Sequence, residues 1–447
     1  MLDLLLVNAL CVMPDEVIRA DVGIKNEKIA GIYFPGTSPQ SIETIDCEGG
    51  ILLPGVIDTH AHVTFCEDYL NGTRSAVQGG VTTIVEMPQS GHWPNLLNEE
   101  VLDDRKGVLE KDGAYADVAL WSGIDHHNLE QDIESLFRGG CVGFKIFTCE
   151  IAEGYPCFCH EDDLYRLFCA AAKHNALVTV HAQSNRLLSS CTKECSSKGG
   201  AELFSSSQPV LSELTDVNRV CLLSQQTGCK VHICHISSPE ILELITSWRQ
   251  RGADVTAETC PHYLSLTEDD VVRCGAYAKV GPPIRNREAR EGLWEALKKG
   301  FVDSIGTDHA AYSEQQKNVQ FWEAPGGFPS LDLVLPILVD EGVLKRNVSW
   351  TQLAHVCSTN IASRLGLSEK KGSIKVGLDA DLVLIDINKP WVFHSRDAEY
   401  LEKSTNYPYE GRLFNTSVRL TLVRGHIVCR DREIVGEAIG RFTPHNF

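Results

Sequence analysis

Apolar runs alternate with amphipathic stretches through most of this chain. Strand-like runs fall at 56–62, 81–87, 116–122, 143–147, 176–182, 230–236, 254–260 and 304–309. Between them lie stretches with helical spacing, at 96–111, 161–174, 211–226, 239–251 and 287–299. Eight β/α repeats in about 250 residues predict an α/β chain built as a (β/α)8 barrel. A doubly wound open sheet is the alternative, but no Gly-rich nucleotide fingerprint follows the first strand.

The two ends of the chain have a different pattern. Residues 2–12, 17–25 and 28–34 read as short strands, separated by turn-prone stretches such as Met13-Pro14-Asp15-Glu16 and Asn26-Glu27. The tail returns to β character, with a turn and strand in 372–386. A hairpin follows, in which Gly425-His426 joins 416–424 to 427–429. The expectation is a small β-sandwich module built from both termini, residues 1–52 and 367–447, flanking a barrel at 53–366. The stretch 184–210 is polar and rich in Ser, Lys and Gly, and reads as an active-site lid or a mobile surface loop. A second long stretch, 310–330, contains Gly326-Gly327.

Charge and composition narrow the partners. The 447 residues carry a formal charge of −19, which argues against a nucleic-acid partner, since phosphate neutralisation needs clustered Lys and Arg. The 17 cysteines are odd in number and scattered, and Cys169, Cys221 and Cys234 sit in apolar runs as small core residues. The pairs Cys157/Cys159 and Cys191/Cys195 lack a matching second pair for a zinc ribbon, so a reducing cytoplasm is the simplest setting. Residues 4–12 are apolar, but Asp3 precedes them and no basic segment does, so they read as a strand rather than a signal peptide. No run suits a membrane span.

Candidate chemistry begins at Gly55-Val-Ile-Asp-Thr-His-Ala-His-Val63. Residues i and i+2 of a strand share a face, so His60 and His62 project together, as a divalent metal such as zinc requires. A lone pair of this kind is as readily incidental to a half-buried strand. Barrel enzymes, however, place their chemistry at the C-terminal strand ends. Those positions hold Lys145, His181, His235 and the pair Asp308-His309. Each could be innocent alone. Their joint appearance on strands one, four, five, six and eight is harder to dismiss. His232, three residues before His235, falls on the other face of its strand and reads as structural.

These segments resemble the cyclic amidohydrolases of the amidohydrolase superfamily, the group of allantoinase, hydantoinase and dihydroorotase. The likeness rests on the PGxIDxHxH entry, Gly143-Phe-Lys-Ile-Phe147, Val231-His-Ile-Cys-His-Ile-Ser-Ser238 and Thr307-Asp-His-Ala310, and extends over nearly the whole chain. It implies two divalent metal ions, Zn2+ by expectation, and an N6-carboxylated Lys145 shared between them. His60, His62 and Asp308 would hold the more buried ion, and His181 and His235 the second. A bridging hydroxide would attack the carbonyl of a cyclic amide or ureide, with Asp308 moving the proton to the leaving nitrogen. By the same resemblance, backbone groups around Gly281 and Gly327 would recognise the ring amide and His309 would support the site. Relatives are often homo-oligomers, tetramers or dimers.

Which ring is opened is less legible. Dihydroorotases follow the two histidines with an Arg-Glu-Pro-Gly stretch; this chain has Val63-Thr-Phe-Cys-Glu-Asp68, and Gln89 where those enzymes usually carry asparagine. Hydantoinases place a tyrosine five residues after the lysine, where this chain has Glu150, and nearby Tyr155 is not assigned that role. The stretches Ala257-Glu-Thr-Cys-Pro-His-Tyr-Leu264, Val280-Gly-Pro-Pro-Ile-Arg285 and Tyr407-Pro-Tyr-Glu-Gly411 most resemble allantoinase, although an Asn/Asp-Pro-Gly-Arg run is missing. The reading is an allantoinase- or hydantoinase-like enzyme, with a dihydroorotase-like enzyme as the alternative. A metal-free scaffold, like the collapsin response mediator proteins, is the alternative of a different class. Retention of all six candidate ligands argues against it.

Overall fold

The computed structural model describes residues 1–127, 129–150 and 155–445. Eight parallel strands form the central sheet: β6 (Val56–Ala61), β7 (Val81–Glu86), β8 (Asp117–Ser122), β9 (Gly143–Phe147), β10 (Leu177–His181), β11 (Lys230–Ile233), β12 (Val255–Thr259) and β13 (Ser304–Ile305). Each pairs with its neighbour in chain order, and the helices between them pack outside, as crossover connections of parallel strands require. The ring closes where β6 meets the chain just beyond β13. There Asp308 N donates to His60 O at 2.8 Å and His62 N to His309 O at 2.9 Å. The chain is therefore a (β/α)8 barrel. These strands are buried along their length, which explains why they read as apolar-rich runs rather than as alternating ones.

The termini form one further mixed sheet. β1 (Leu2–Val12), β2 (Val17–Lys25), β3 (Lys28–Tyr33), β4 (Ser41–Asp46) and β5 (Ile51–Pro54) come from the start of the chain. β14 (Leu382–Val392), β15 (Leu413–Val423), β16 (His426–Arg430) and β17 (Glu433–Ile434) come from its end. The junction is β5, parallel to β1 on one edge and antiparallel to β14 on the other. Leu4, Leu6, Val22, Leu52, Leu382 and Leu422 share one apolar core on this sheet, which holds strands from both termini together.

A buried ionic group ties the sheet to the barrel. Lys371 Nζ donates to Asp117 Oδ2 at 2.7 Å and also to Asp381, while Arg424 pairs with Asp117. All four residues are at most 5% exposed. Burial alone would raise the Asp117 carboxyl, but Lys371 and Arg424 overturn that and hold it below its ordinary value.

The stretch 184–210 is not a loop. It forms a helix at Asn185–Ser196, a 3-10 turn at Ala201–Leu203 and a short helix at Phe204–Ser207. The first of these buries no residue fully, and its apolar residues Leu187, Leu188, Cys191 and Cys195 stand among polar ones, so the stretch is easily read as a polar loop. No helix among the described residues is long and apolar enough to cross a membrane.

Candidate active site

The barrel seam brings three of the candidate ligands together. Thr307 donates from its backbone N (3.0 Å) and its Oγ1 (2.6 Å) to Asp58 on β6, so the turn after β13 is locked to the first strand. Asp308 has φ 52°, a left-handed conformation that Asp tolerates better than most residues. Nε2 of His60 and Nε2 of His62 then each lie 3.3 Å from Asp308 Oδ1.

The other three arrive from neighbouring strands. Lys145 lies inside β9, His181 ends β10, and His235 follows β11 with φ 37°. That left-handed residue interrupts the strand alternation, so Cys234 and His235 both reach the site. Lys145 Nζ sits 3.1 Å from Cys234 Sγ, and His235 N donates to Glu258 Oε1 at 3.1 Å. Ring centroids are 4.5 Å apart for His181–His235, 5.2 Å for His60–His235 and 5.3 Å for His60–His62. His60, His62, Lys145, His181, His235 and Asp308 thus border one cavity of about 520 Å³.

The donor set fits divalent metal. Two groups, His60/His62/Asp308 and His60/Cys234/His235, have ligand atoms within 4.8 Å of one another. Imidazoles plus a carboxylate suit a borderline-soft divalent ion. Nδ1 of His62 and Nδ1 of His235 are buried without a hydrogen-bond partner, a cost that folds rarely carry for nothing. His181 is engaged through Nε2, 2.7 Å from Gln183 Oε1, so Nδ1 is the atom it has to offer. Burial, and then the neighbouring Lys145, push the His181 ring down to about 3, so it is uncharged at neutral pH.

Glu258 belongs to the site although the sequence reading assigned it no role. It is fully buried on β12. Its Oε1 lies 3.1 Å from His60 Nδ1, Thr59 Oγ1 donates to Oε2, and His232 Nε2 stands 3.5 Å away. Burial would raise this carboxyl, yet the His60 and His232 rings beside it hold it well below its usual range. The contact of Nδ1 with Glu258 fixes the His60 ring and turns its Nε2 toward Asp308 and the cavity. The available signal was an acidic residue inside an otherwise uncharged strand. Glu258→Gln is expected to weaken metal retention by about 10- to 100-fold, the usual effect of losing such a support. Dialysis against a chelator followed by metal analysis reads this out.

The remaining candidates take varied places. His309 accepts at Nδ1 from Ser330 N (3.0 Å) and Leu331 N (3.3 Å), anchoring the far end of the 310–330 segment. His232 is buried and bonds Thr256 Oγ1 at 2.8 Å, outside the cavity. Gly281 and Gly327 both border the cavity. Gly327 has φ 124°, and a Cβ there would stand 2.8 Å from Ala310 Cβ, so glycine is required. Its N–H is taken by Lys279 O at 2.8 Å. Tyr155 OH donates to Lys145 O at 3.0 Å, so its hydroxyl is committed to the backbone. Glu150 borders the cavity, and its N donates to Asn185.

Two buried lysines hold the segment over the cavity. Lys279 Nζ donates to the carbonyls of Phe321 (2.9 Å), Trp322 (3.1 Å) and Ala324 (2.6 Å). Lys317 Nζ donates to those of Ala276 (3.1 Å) and Pro325 (2.9 Å). Trp322 Nε1 donates to Gly199 O at 2.7 Å, joining this segment to the helical 185–207 stretch.

Comparison with known proteins agrees with this geometry. The amidohydrolase family profile matches residues 51–428. An allantoinase of Rubrobacter xylanophilus is 36% identical over 95% of this chain and 94% of its own length. An L-hydantoinase of Paenarthrobacter aurescens is 30% identical over 100% of this chain and 99% of its own. The solved structure of L-hydantoinase (dihydropyrimidinase) from Arthrobacter aurescens superposes with a TM-score of 0.94 at 30% identity, covering 100% of both chains. The chain belongs to the amidohydrolase family.

Proposed function

We propose that this cyclic-amide hydrolase opens a ureide ring of the allantoin or hydantoin type. The observation that carries the reading is the meeting of His60, His62, Lys145, His181, His235 and Asp308 at one cavity. His60, His62 and Asp308 would hold one divalent ion and His181 and His235 a second, zinc by the nature of the donors. Lys145, carboxylated on Nζ by carbon dioxide with release of a proton, would be shared. An ammonium among metal ligands would be repelled, whereas a carbamate is an anion that can bridge. When bound, such ions acidify water and polarise a carbonyl.

The chain's own groups do the rest. Asp308, facing the cavity between His60 and His62, accepts the proton of the attacking water and delivers it to the ring nitrogen as the C–N bond breaks. Glu258 orients His60, and His309 keeps the Ser330 end of the roof in place. Phe65 and Tyr312, 5.4 Å apart between centroids, supply an apolar wall against which a flat ring packs. Backbone at Gly281 and the carbonyl side of Gly327 are the groups available to the ring amide. Asp308→Asn is expected to lower kcat by about 10²- to 10⁴-fold. The melting temperature of the metal-free protein should be little moved, since Asn accepts the same left-handed backbone. Steady-state kinetics beside thermal melting check both.

The proposal places the catalytic part at 53–366 and sets the enzyme in the cytoplasm, where its 17 free cysteines stay reduced. It includes assembly as a dimer or tetramer, which light scattering tests. A panel of allantoin, hydantoin, dihydrouracil and dihydroorotate, assayed with zinc and bicarbonate, decides the substrate class. Opening of allantoin or hydantoin is expected; exclusive turnover of dihydroorotate, or none of any ring, refutes the reading. Metal analysis separates enzyme from scaffold: about two ions per chain support the former and none supports the latter.

A further inference from the structure

A chain of side-chain amides runs from His181 along the wall of the cavity. His181 Nε2 lies 2.7 Å from Gln183 Oε1, an oxygen that can only accept. Gln183 then has its NH2 left, and Nε2 donates to Gln208 Oε1 at 3.2 Å and to Ser212 Oγ at 3.4 Å. Gln183 is fully buried and its N donates to Thr148 Oγ1 at 3.1 Å, so the middle of the chain is fixed. This order of donors and acceptors also orients the last amide. Gln208 turns its Oε1 to Gln183, and its Nε2 is the end with no protein partner among the described residues.

That free donor stands at the cavity. Gln208 borders it together with the candidate ligands and is only half-buried, so its NH2 is not sealed inside the protein. Its amide lies broadside over Gly281: a Cβ built there would stand 3.7 Å from Gln208 Oε1 and 3.8 Å from Nε2. A ring packed on the Gly281 backbone therefore meets the Gln208 amide beside it. The backbone of Gln208 is pinned as well. Its carbonyl accepts from Arg285 Nη1 at 2.7 Å, and the buried Arg285 is paired with Glu213 at 2.7 Å. Pro209 follows as the cap of the helix Val210–Thr227. Support of this kind is what recognition of one fixed atom requires.

The chemistry of a ureide ring supplies that atom. One of its carbonyls is attacked as the C–N bond opens. The other, the urea carbonyl between two nitrogens, remains a strong acceptor throughout. A neutral NH2 matches it without demanding charge. The link to Gln183 strengthens the match, since an amide whose oxygen accepts a hydrogen bond is polarised to donate better.

We infer that Gln208 is a specificity-determining residue that donates from Nε2 to the urea carbonyl of the ring, the one that is not attacked. This inference rests on the proposed ring-opening activity and names the part of the substrate read at that site. It favours ureides over rings whose second carbonyl is missing or accepts poorly.

The test uses the full-length, zinc-loaded enzyme with allantoin, hydantoin and 2-thiohydantoin, in which a weakly accepting sulfur replaces the urea oxygen. The last two are compared both as substrates and as inhibitors of allantoin opening. Gln208→Glu keeps an oxygen for Gln183 but turns the donor into an acceptor, and Gln208→Leu removes both. Each should weaken hydantoin by about 10- to 100-fold, in KM or inhibition constant rather than in kcat, and 2-thiohydantoin far less. Zinc content should match wild type in both, since His181 keeps its Gln183 partner. Equal losses on the two rings in both variants assign Gln208 a merely structural role and overturn the inference. So does a Gln208→Leu enzyme that takes hydantoin as wild type does, or loss of zinc from Gln208→Glu. If wild type opens neither allantoin nor hydantoin, the ring-opening reading itself fails and the inference falls with it.

Discussion

Lys145→Ala is expected to abolish turnover and strip the protein of metal in the same step. Activity should fall on the order of 10³-fold or more, as when one member of a constellation acting as a unit is removed. The reason is geometric. Lys145 Nζ is buried beside Cys234, among His60, His181 and His235, with no carboxylate hydrogen-bonded to it in the described residues. A bare ammonium there repels the cations those imidazoles suit, and an alanine leaves their charge unbalanced. Short carboxylic acids added to the variant should restore part of both metal content and rate, because they supply the missing anion. A fully metallated, active Lys145→Ala enzyme without such additives would refute the assignment.

Lys371→Met is expected to be the most damaging substitution for stability, at about 3–5 kcal/mol, because it leaves Asp117 and Asp381 buried with one cation between them. Chemical denaturation reads the loss. Adding Asp381→Asn should recover part of it, since one stranded charge is then removed. The pH dependence follows from the depressed carboxyl. The native pKa of Asp117 lies below its unfolded value, so its contribution is fully present above the ordinary carboxylate range. It is lost as pH falls through the native pKa. In Lys371→Met the carboxyl loses a partner, its native pKa rises, and acid unfolding should begin at higher pH. An unaltered acid midpoint would show that Lys371 does not set that pKa.

The barrel was legible because parallel strands buried on both faces announce themselves as apolar-rich runs without alternation, as at Val118 to Trp121 within Asp117–Ser122. Candidate ligands were legible for a related reason: a lysine inside such a run, or a histidine closing it, is out of character with it. Glu258 was not assigned, since its partners His60 and His232 lie far away in sequence and only ring closure brings them near. Gln208 drew no attention, because the chain from His181 that makes it a donor exists only in the fold. β4 and β5 were passed over. The first is largely exposed, and the second, four residues long, is too short to show a period.

The placement of β5 has a consequence for how the chain is made. Residues 51–54 leave the ribosome early, but the antiparallel partner β14 begins only at Leu382. Until then, one side of β5 presents unpaired N–H and C=O groups within an apolar sheet, a template for another nascent chain. The barrel between them can close first, since its strands pair in order of synthesis. Final locking of the molecule therefore waits on residues 382–423. Nascent chains halted before Leu382 should engage chaperones or self-associate far more than chains released after Val423.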